Sequence, residues 1–158
     1  MMALAMSACG GSGDGSQQTV TVTAPSGDQA AYVAEADALC ARIASRDPEL
    51  AEGAEELRKL GPSDPRFHEK AAAHFARVLD VATSGQDEFD SIEPPEVVKA
   101  RVSEFGRVND DAIASLREIV SALERGMTPE EELNEYGRLL SEASGIAEAI
   151  GFEICGRN

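Results

Sequence analysis

Apolar residues return every three or four positions along most of the chain beyond residue 28. In "DQAAYVAEADALCARIASRD", Tyr32, Ala36, Leu39 and Ile43 fall on one helical face. Asp47-Pro48 interrupts the segment, and "PELAEGAEELRKLG" resumes it with Leu50, Ala54, Leu57 and Leu60. Proline suits a first helical turn, so the spacing predicts one long helix kinked at Pro48 and stopped at Gly61-Pro62. Asp64 then reads as an N-cap, with Pro65 at the first position of a second helix. Its stripe runs Ala71, Phe75, Val78, Ala82, Gly85, Phe89, Ile92, with a break expected near Ser84-Gly85 and an end at Pro94-Pro95.

The third helix has the most regular pattern. Val98, Val102, Phe105, Asn109, Ala112, Leu116, Ile119 and Leu123 repeat at alternating spacings of four and three, and Gly126 is placed as a C′ stop. Thr128, Pro129 and Glu131 spell a capping box that opens a fourth helix, whose stripe is Leu133, Tyr136, Leu140, Ala143, Ala147 and Ile150. Short connections make sequential helices antiparallel. The expected fold is therefore all-α: an up-down-up-down four-helix bundle over residues 29–158, preceded by a disordered N-terminal tether.

The tether is residues 10–28, "GGSGDGSQQTVTVTAPSGD", rich in Gly, Ser, Thr and Gln. Its flexible reach is on the order of 20–25 Å. "TVTVT" alternates like a strand but has no hairpin partner, so it reads as an extended spacer. Just before it stands "MSAC", an apolar residue and two small ones ahead of Cys9, the pattern of a bacterial lipobox. Small residues let a processing peptidase reach the backbone, and the thiol then carries a diacylglyceryl group with acyl chains such as palmitate. Two chains give stable anchoring where one gives reversible binding, at ~0.8 kcal/mol per buried CH₂. Residues 1–9 are shorter than a full signal peptide and lack its basic region, which places the expected translation start upstream of Met1. If Met1 is the start, the chain is instead a cytoplasmic acidic helical protein.

Charge narrows the partners. Fourteen Lys and Arg face 29 Asp and Glu, a formal charge of −15. Such a surface repels phosphates, which disfavours nucleic acid, and it repels anionic headgroups. A membrane association would rest on the Cys9 anchor rather than on charge.

Three cysteines are present: Cys9, Cys40 and Cys155. Cys40 lies roughly 18 Å along its helix at 1.5 Å per residue. A tail leaving Gly151 can double back by ~13 Å. The last two sulfurs can meet, with Phe152 and Ile154 packing on the way, or they remain two reduced, buried thiols. A bridge closing a loop of this size is worth about 4.7 kcal/mol in the chain-entropy model.

Chemistry is otherwise sparse. His68 and His74 point about 120° apart on a helix and cannot share a metal without ligands from elsewhere. His74 belongs at the core edge beside Phe75, and His68 belongs in solvent. The acidic runs Glu130–Glu132 and Asn109–Asp111 read as solvated faces. Asn109 falls on the stripe: it either fixes register or lines a small cavity, or Val108 turns inward and Asn109 sits at the boundary. The sequence offers no catalytic residue, no metal ligand set and no cofactor motif. That favours binding over catalysis, as an interaction module or as a carrier of a small ligand or cation between the helices.

A cysteine in the first helix ("YVAEADALCARI"), Ala/Glu-rich helices and a terminal "GFEICG" resemble small helical lipoproteins common in actinobacteria. The resemblance spans nearly the whole chain. It implies an extracytoplasmic location on the outer face of the cell membrane and a Cys40–Cys155 pairing, and it implies no particular activity.

Overall fold

The computed structural model describes residues 27–46 and 48–156. Among them are five helices and no strand: α1 (Gly27–Ala44), α2 (Glu49–Leu60), α3 (Phe67–Phe89), α4 (Lys99–Glu124) and α5 (Glu130–Ile150). The lipobox-like stretch with Cys9, the tether as far as residue 26 and Asp47 lie outside the described residues. No helix among the described residues is long and apolar enough to cross a membrane.

The expected first helix is two helices. α1 tightens into three-residue turns at its end, where Ser45 N–H donates to Arg42 O and Arg46 N–H to Ile43 O. Pro48 has no N–H to continue the ladder, and its ring would crowd the carbonyl four residues back. Its φ of −62° instead suits entry into α2. Both helices pack against α3, at different heights. Arg77 pairs with Glu49 and Lys70 with Glu56, so α2 runs antiparallel to the first half of α3. α1 lies along the second half, with Ile43 against Gly85 and Arg46 paired to Glu88.

α3 is unbroken at Gly85. The glycine is buried, and a Cβ there would come within 3.0 Å of Ile43 Cδ1. It permits the close approach of α1 and does not weaken the helix enough to part it. α3 also opens two residues later than expected. The Asp64 carboxylate accepts from the Arg66 N–H at 2.9 Å and from its guanidinium at 3.0 and 2.9 Å. That pairing closes a separate turn, and it holds the Asp64 carboxyl down to about 2.

α4 returns along α3: Phe89 meets Phe105 at 5.4 Å between ring centres, while Ala71 clusters with Leu116, Ile119 and Leu123. α4 is the central element and is buried along its whole length. It ends as expected at Gly126, with φ +73°; Met127 N–H donates to Ala122 O and Gly126 N–H to Leu123 O, satisfying the last carbonyls.

The start of α5 differs from expectation. No side-chain cap forms at Thr128 and Glu131; Pro129 instead precedes Glu130 with φ −87° and ψ 63°. Ser115 Oγ donates to Glu132 O at 3.0 Å, so the first turn meets α4 through its backbone and Leu133 is left 38% exposed. Further along, Leu139 is buried and Leu140 only partly so, with Ala143, Ala147 and Ile150 buried as the stripe requires.

The core forms two apolar clusters. One gathers Tyr32, Leu39, Phe89, Phe105, Val108, Ile150 and Phe152; the other gathers Ala71, Leu116, Ile119 and Leu123, with Leu57 and Phe75 packed at its edge.

Candidate functional site: a cavity beside a stapled tail

Gly151 determines how the chain leaves α5. Its φ of +102° is readily adopted only by glycine. With Phe152 N–H bonded to Ala147 O, the turn drives the Phe152 ring into the core. Tyr32 and Phe89 each lie 5.9 Å from it and Phe105 lies 5.7 Å away, all between ring centres. The next three N–H groups, of Glu153, Ile154 and Cys155, all donate to the Asp37 carboxylate, at 2.9, 2.8 and 3.1 Å. Asp37 is buried, and oriented backbone donors are what a buried carboxylate needs. Ser144 Oγ donates to Gly156 O, and a Cβ at Gly156 would sit 2.8 Å from Ala147 Cβ. The terminal Cys-Gly is therefore matched to its place against α5.

These contacts seat Cys155 beside α1, where it forms a disulfide with Cys40; the Cα atoms are 5.2 Å apart across a sequence separation of 115. Of the two readings of these thiols, the structure has the bridge. Cys9 lies outside the described residues.

Behind the bridge is a cavity of about 270 Å³. Its wall is built by Cys40 and Ile43 of α1, Ala82, Gly85, Gln86 and Phe89 of α3, Phe105, Asn109, Ala112, Ile113 and Leu116 of α4, Tyr136 and Leu140 of α5, and Cys155. None of these side chains is charged. The Gln86 amide donates to Asp90 Oδ1 at 2.8 Å. The Asn109 carboxamide and the Tyr136 hydroxyl are not taken up by a hydrogen bond to another described residue. Burial pushes the Tyr136 phenol up from its usual value, so it remains a neutral donor. Val108 is buried in the core and its neighbour Asn109 is half-buried on the cavity wall, so both the boundary reading and the cavity reading of Asn109 hold.

The histidines stand elsewhere. His74 is half-buried and meets Phe75 edge-on at 5.6 Å between ring centres. His68 is not in solvent as expected: it is half-buried against Phe67, with its Nδ1 buried and without a partner among the described residues. Among the described residues no three His, Cys, Asp or Glu side chains are grouped to hold a metal ion. Glu130 and Glu131 are exposed, and Asp111 pairs with Arg107 on the surface.

Sequence reasoning missed Asp37, Gln86 and the roles of Gly85 and Gly156. One signal was present for Asp37: an acidic residue one turn before a cysteine, on the face that also carries Ala36 and Leu39. No protein-family model, no curated protein and no solved structure matches this chain.

Proposed function

We propose that this chain is a lipid-anchored module of the cell envelope that acts by binding a small ligand between its helices, without catalysis. Cys9 carries the anchor, the tether of residues 10–28 leads from it into α1, which takes up its last two residues, and α1 and α2 form the first rod of an up-down-up-down bundle. The cavity is the single observation that carries the binding reading: its wall is apolar, uncharged and furnished with unclaimed hydrogen-bonding groups. The location draws support from the Cys40–Cys155 bridge, because disulfides persist in oxidising compartments.

Two measurements test the two halves. Protein expressed from its natural gene should fractionate with membranes and show a diacylglyceryl mass increment on Cys9; soluble material with an unmodified Cys9 overturns the anchor. Under xenon pressure, amide resonances of the ¹⁵N-labelled chain should shift around Gly85, Asn109 and Ala112. An unresponsive spectrum there overturns the cavity as a binding site.

A further inference from the structure

The wall of the cavity also constrains what fits it, granted the binding reading above. Size comes first. A cavity of 150 Å³ lined by aliphatic and aromatic side chains takes benzene. By proportion, about 270 Å³ takes a molecule of roughly eleven non-hydrogen atoms. Charge comes second. No lining residue is ionisable near neutral pH, so a buried carboxylate or ammonium would find no counter-charge and would lose its hydration. The formal charge of −15 further repels anions from the surface they would cross.

Polarity comes third. Most of the wall is carbon and the two bridging sulfurs, but three residues with polar side chains also line it: Gln86 of α3, whose amide donates to Asp90, Asn109 of α4 and Tyr136 of α5. Asn109 offers both an amide donor and a carbonyl acceptor; Tyr136 offers a hydroxyl. Asn109 and Tyr136 come from different helices to line the same cavity, and their side chains are not engaged with other described residues. A purely apolar ligand would leave them facing carbon, which is costly.

We infer that the cavity takes a neutral, largely apolar molecule of roughly eleven non-hydrogen atoms that carries one hydrogen-bonding group, received by Asn109 and Tyr136. Small phenols and aryl amides have this chemistry. The apolar body lies against Phe89, Phe105 and Leu116, and the bridge forms part of the wall near the half-open mouth.

The experiment uses the full chain with its disulfide intact and three probes of matched shape: para-propylphenol, propylbenzene and para-propylbenzoate. Binding is followed by calorimetry and by amide shifts. The phenol should bind about tenfold more tightly than propylbenzene, the worth of one buried hydrogen bond, and the benzoate should not bind. Asn109→Leu should erase the phenol's advantage while leaving propylbenzene unweakened. Should that variant fail to fold, Tyr136→Phe makes the same comparison, and the ratio in the unmodified protein decides by itself. Ala82→Leu, which fills the cavity from α3, should lose both neutral probes. Equal binding of phenol and propylbenzene would overturn the ligand class while leaving a working apolar cavity. Tight binding of the benzoate would overturn neutrality. Shifts confined to residues away from the cavity would overturn this inference and the binding reading together.

Discussion

α1 and α2 lie along the same helix, yet they are buried to very different depths. α1 buries Tyr32, Ala36, Asp37 and Leu39; α2 buries no residue, and its stripe of Leu50, Ala54, Leu57 and Leu60 is only half-covered. Of the two, α2 separates its apolar and polar residues more cleanly along the sequence. Amphipathic spacing therefore determines which face turns inward, and the number of elements that close over that face determines how far it is buried. α1 has α3 on one side and the returning tail on the other, held by Phe152, by the Asp37 carboxylate and by the bridge. α2 leans on α3 with ion pairs at its rim, and exposed pairs of this kind are worth about 0–1 kcal/mol each.

Removing the staple should have the largest effect. The double substitution Cys40→Ser with Cys155→Ser should cost about 3–5 kcal/mol of stability. Native-state hydrogen exchange should show protection falling first in α1 and residues 152–156, with α2 already the least protected helix. If α1 and α2 lose protection together, the two ends are not separate units and the comparison fails.

Next comes a matched pair of truncations. Phe152→Ala removes a ring packed on three others and should cost about 3–4 kcal/mol. Leu57→Ala, at a half-covered site, should cost about 1–2 kcal/mol. Urea midpoints of the two variants measure the difference directly. Equal losses would mean that α2 contributes more than its coverage implies.

Much of the deeper end was legible in the sequence, because its rules are local. The spacing of Tyr32, Ala36 and Leu39 selects the buried face of α1, the run from Val102 to Leu123 marks the buried face of α4, and Gly126 sits where a helix must reverse. The reach of the tail made the Cys40–Cys155 bridge possible, though not obligatory. What stayed hidden depends on which elements face each other. Gly85 looks like a weak point until Ile43 is known to lie over it. Asp37 looks like a surface acid until the backbone of the tail is brought against it. Asn109 lay between two readings because a half-buried position belongs to both, and only the packing of α3, α4 and α5 shows a cavity beside it. Thr128 and Glu131 have the capping-box spacing, but Pro129 adopts a conformation that keeps them from capping α5.

A third prediction probes the deeper end through pH. Tyr32 is buried, and its hydroxyl has no partner among the described residues. Burial, and then the negative charge of Asp90, push the Tyr32 phenol up to about 12 from its usual 10.0. A raised pKa means that the folded chain holds this proton more tightly than the unfolded chain does. The contribution is complete below pH 10 and is lost as pH rises through the folded value. Stability should therefore fall by about 2–3 kcal/mol between pH 10 and 12 on account of this group. Tyr32→Phe should remove that part of the alkaline slope and leave the part due to Tyr136, whose phenol burial also raises. At neutral pH the same variant should be neutral or more stable by about 1 kcal/mol, since it deletes an unsatisfied buried group. Denaturant titrations at pH 7, pH 9 and pH 12 check both statements. An unchanged slope would mean that Tyr32 ionises without resistance and that the aromatic cluster is open to water.

The smallest effects come from two glycines and differ in sign. Gly137 lies exposed on α5, with nothing within 4 Å of where an added methyl group would stand, so Gly137→Ala should stabilise by up to about 1 kcal/mol through helix propensity. Gly85→Ala gains the same propensity, but its methyl would stand 3.0 and 3.2 Å from two carbons of Ile43. Overpacking in a filled contact costs about 1–3 kcal/mol, so the net change should be a loss of about 1 kcal/mol. Adding Ile43→Val takes away the nearer carbon, and the double variant should then recover part of the loss, because the two positions are coupled by contact. Independent, additive effects would show that α1 rides loosely over α3. In that case the depth of α1 would be owed to the tail alone, and removing the bridge should expose α1 as fully as α2.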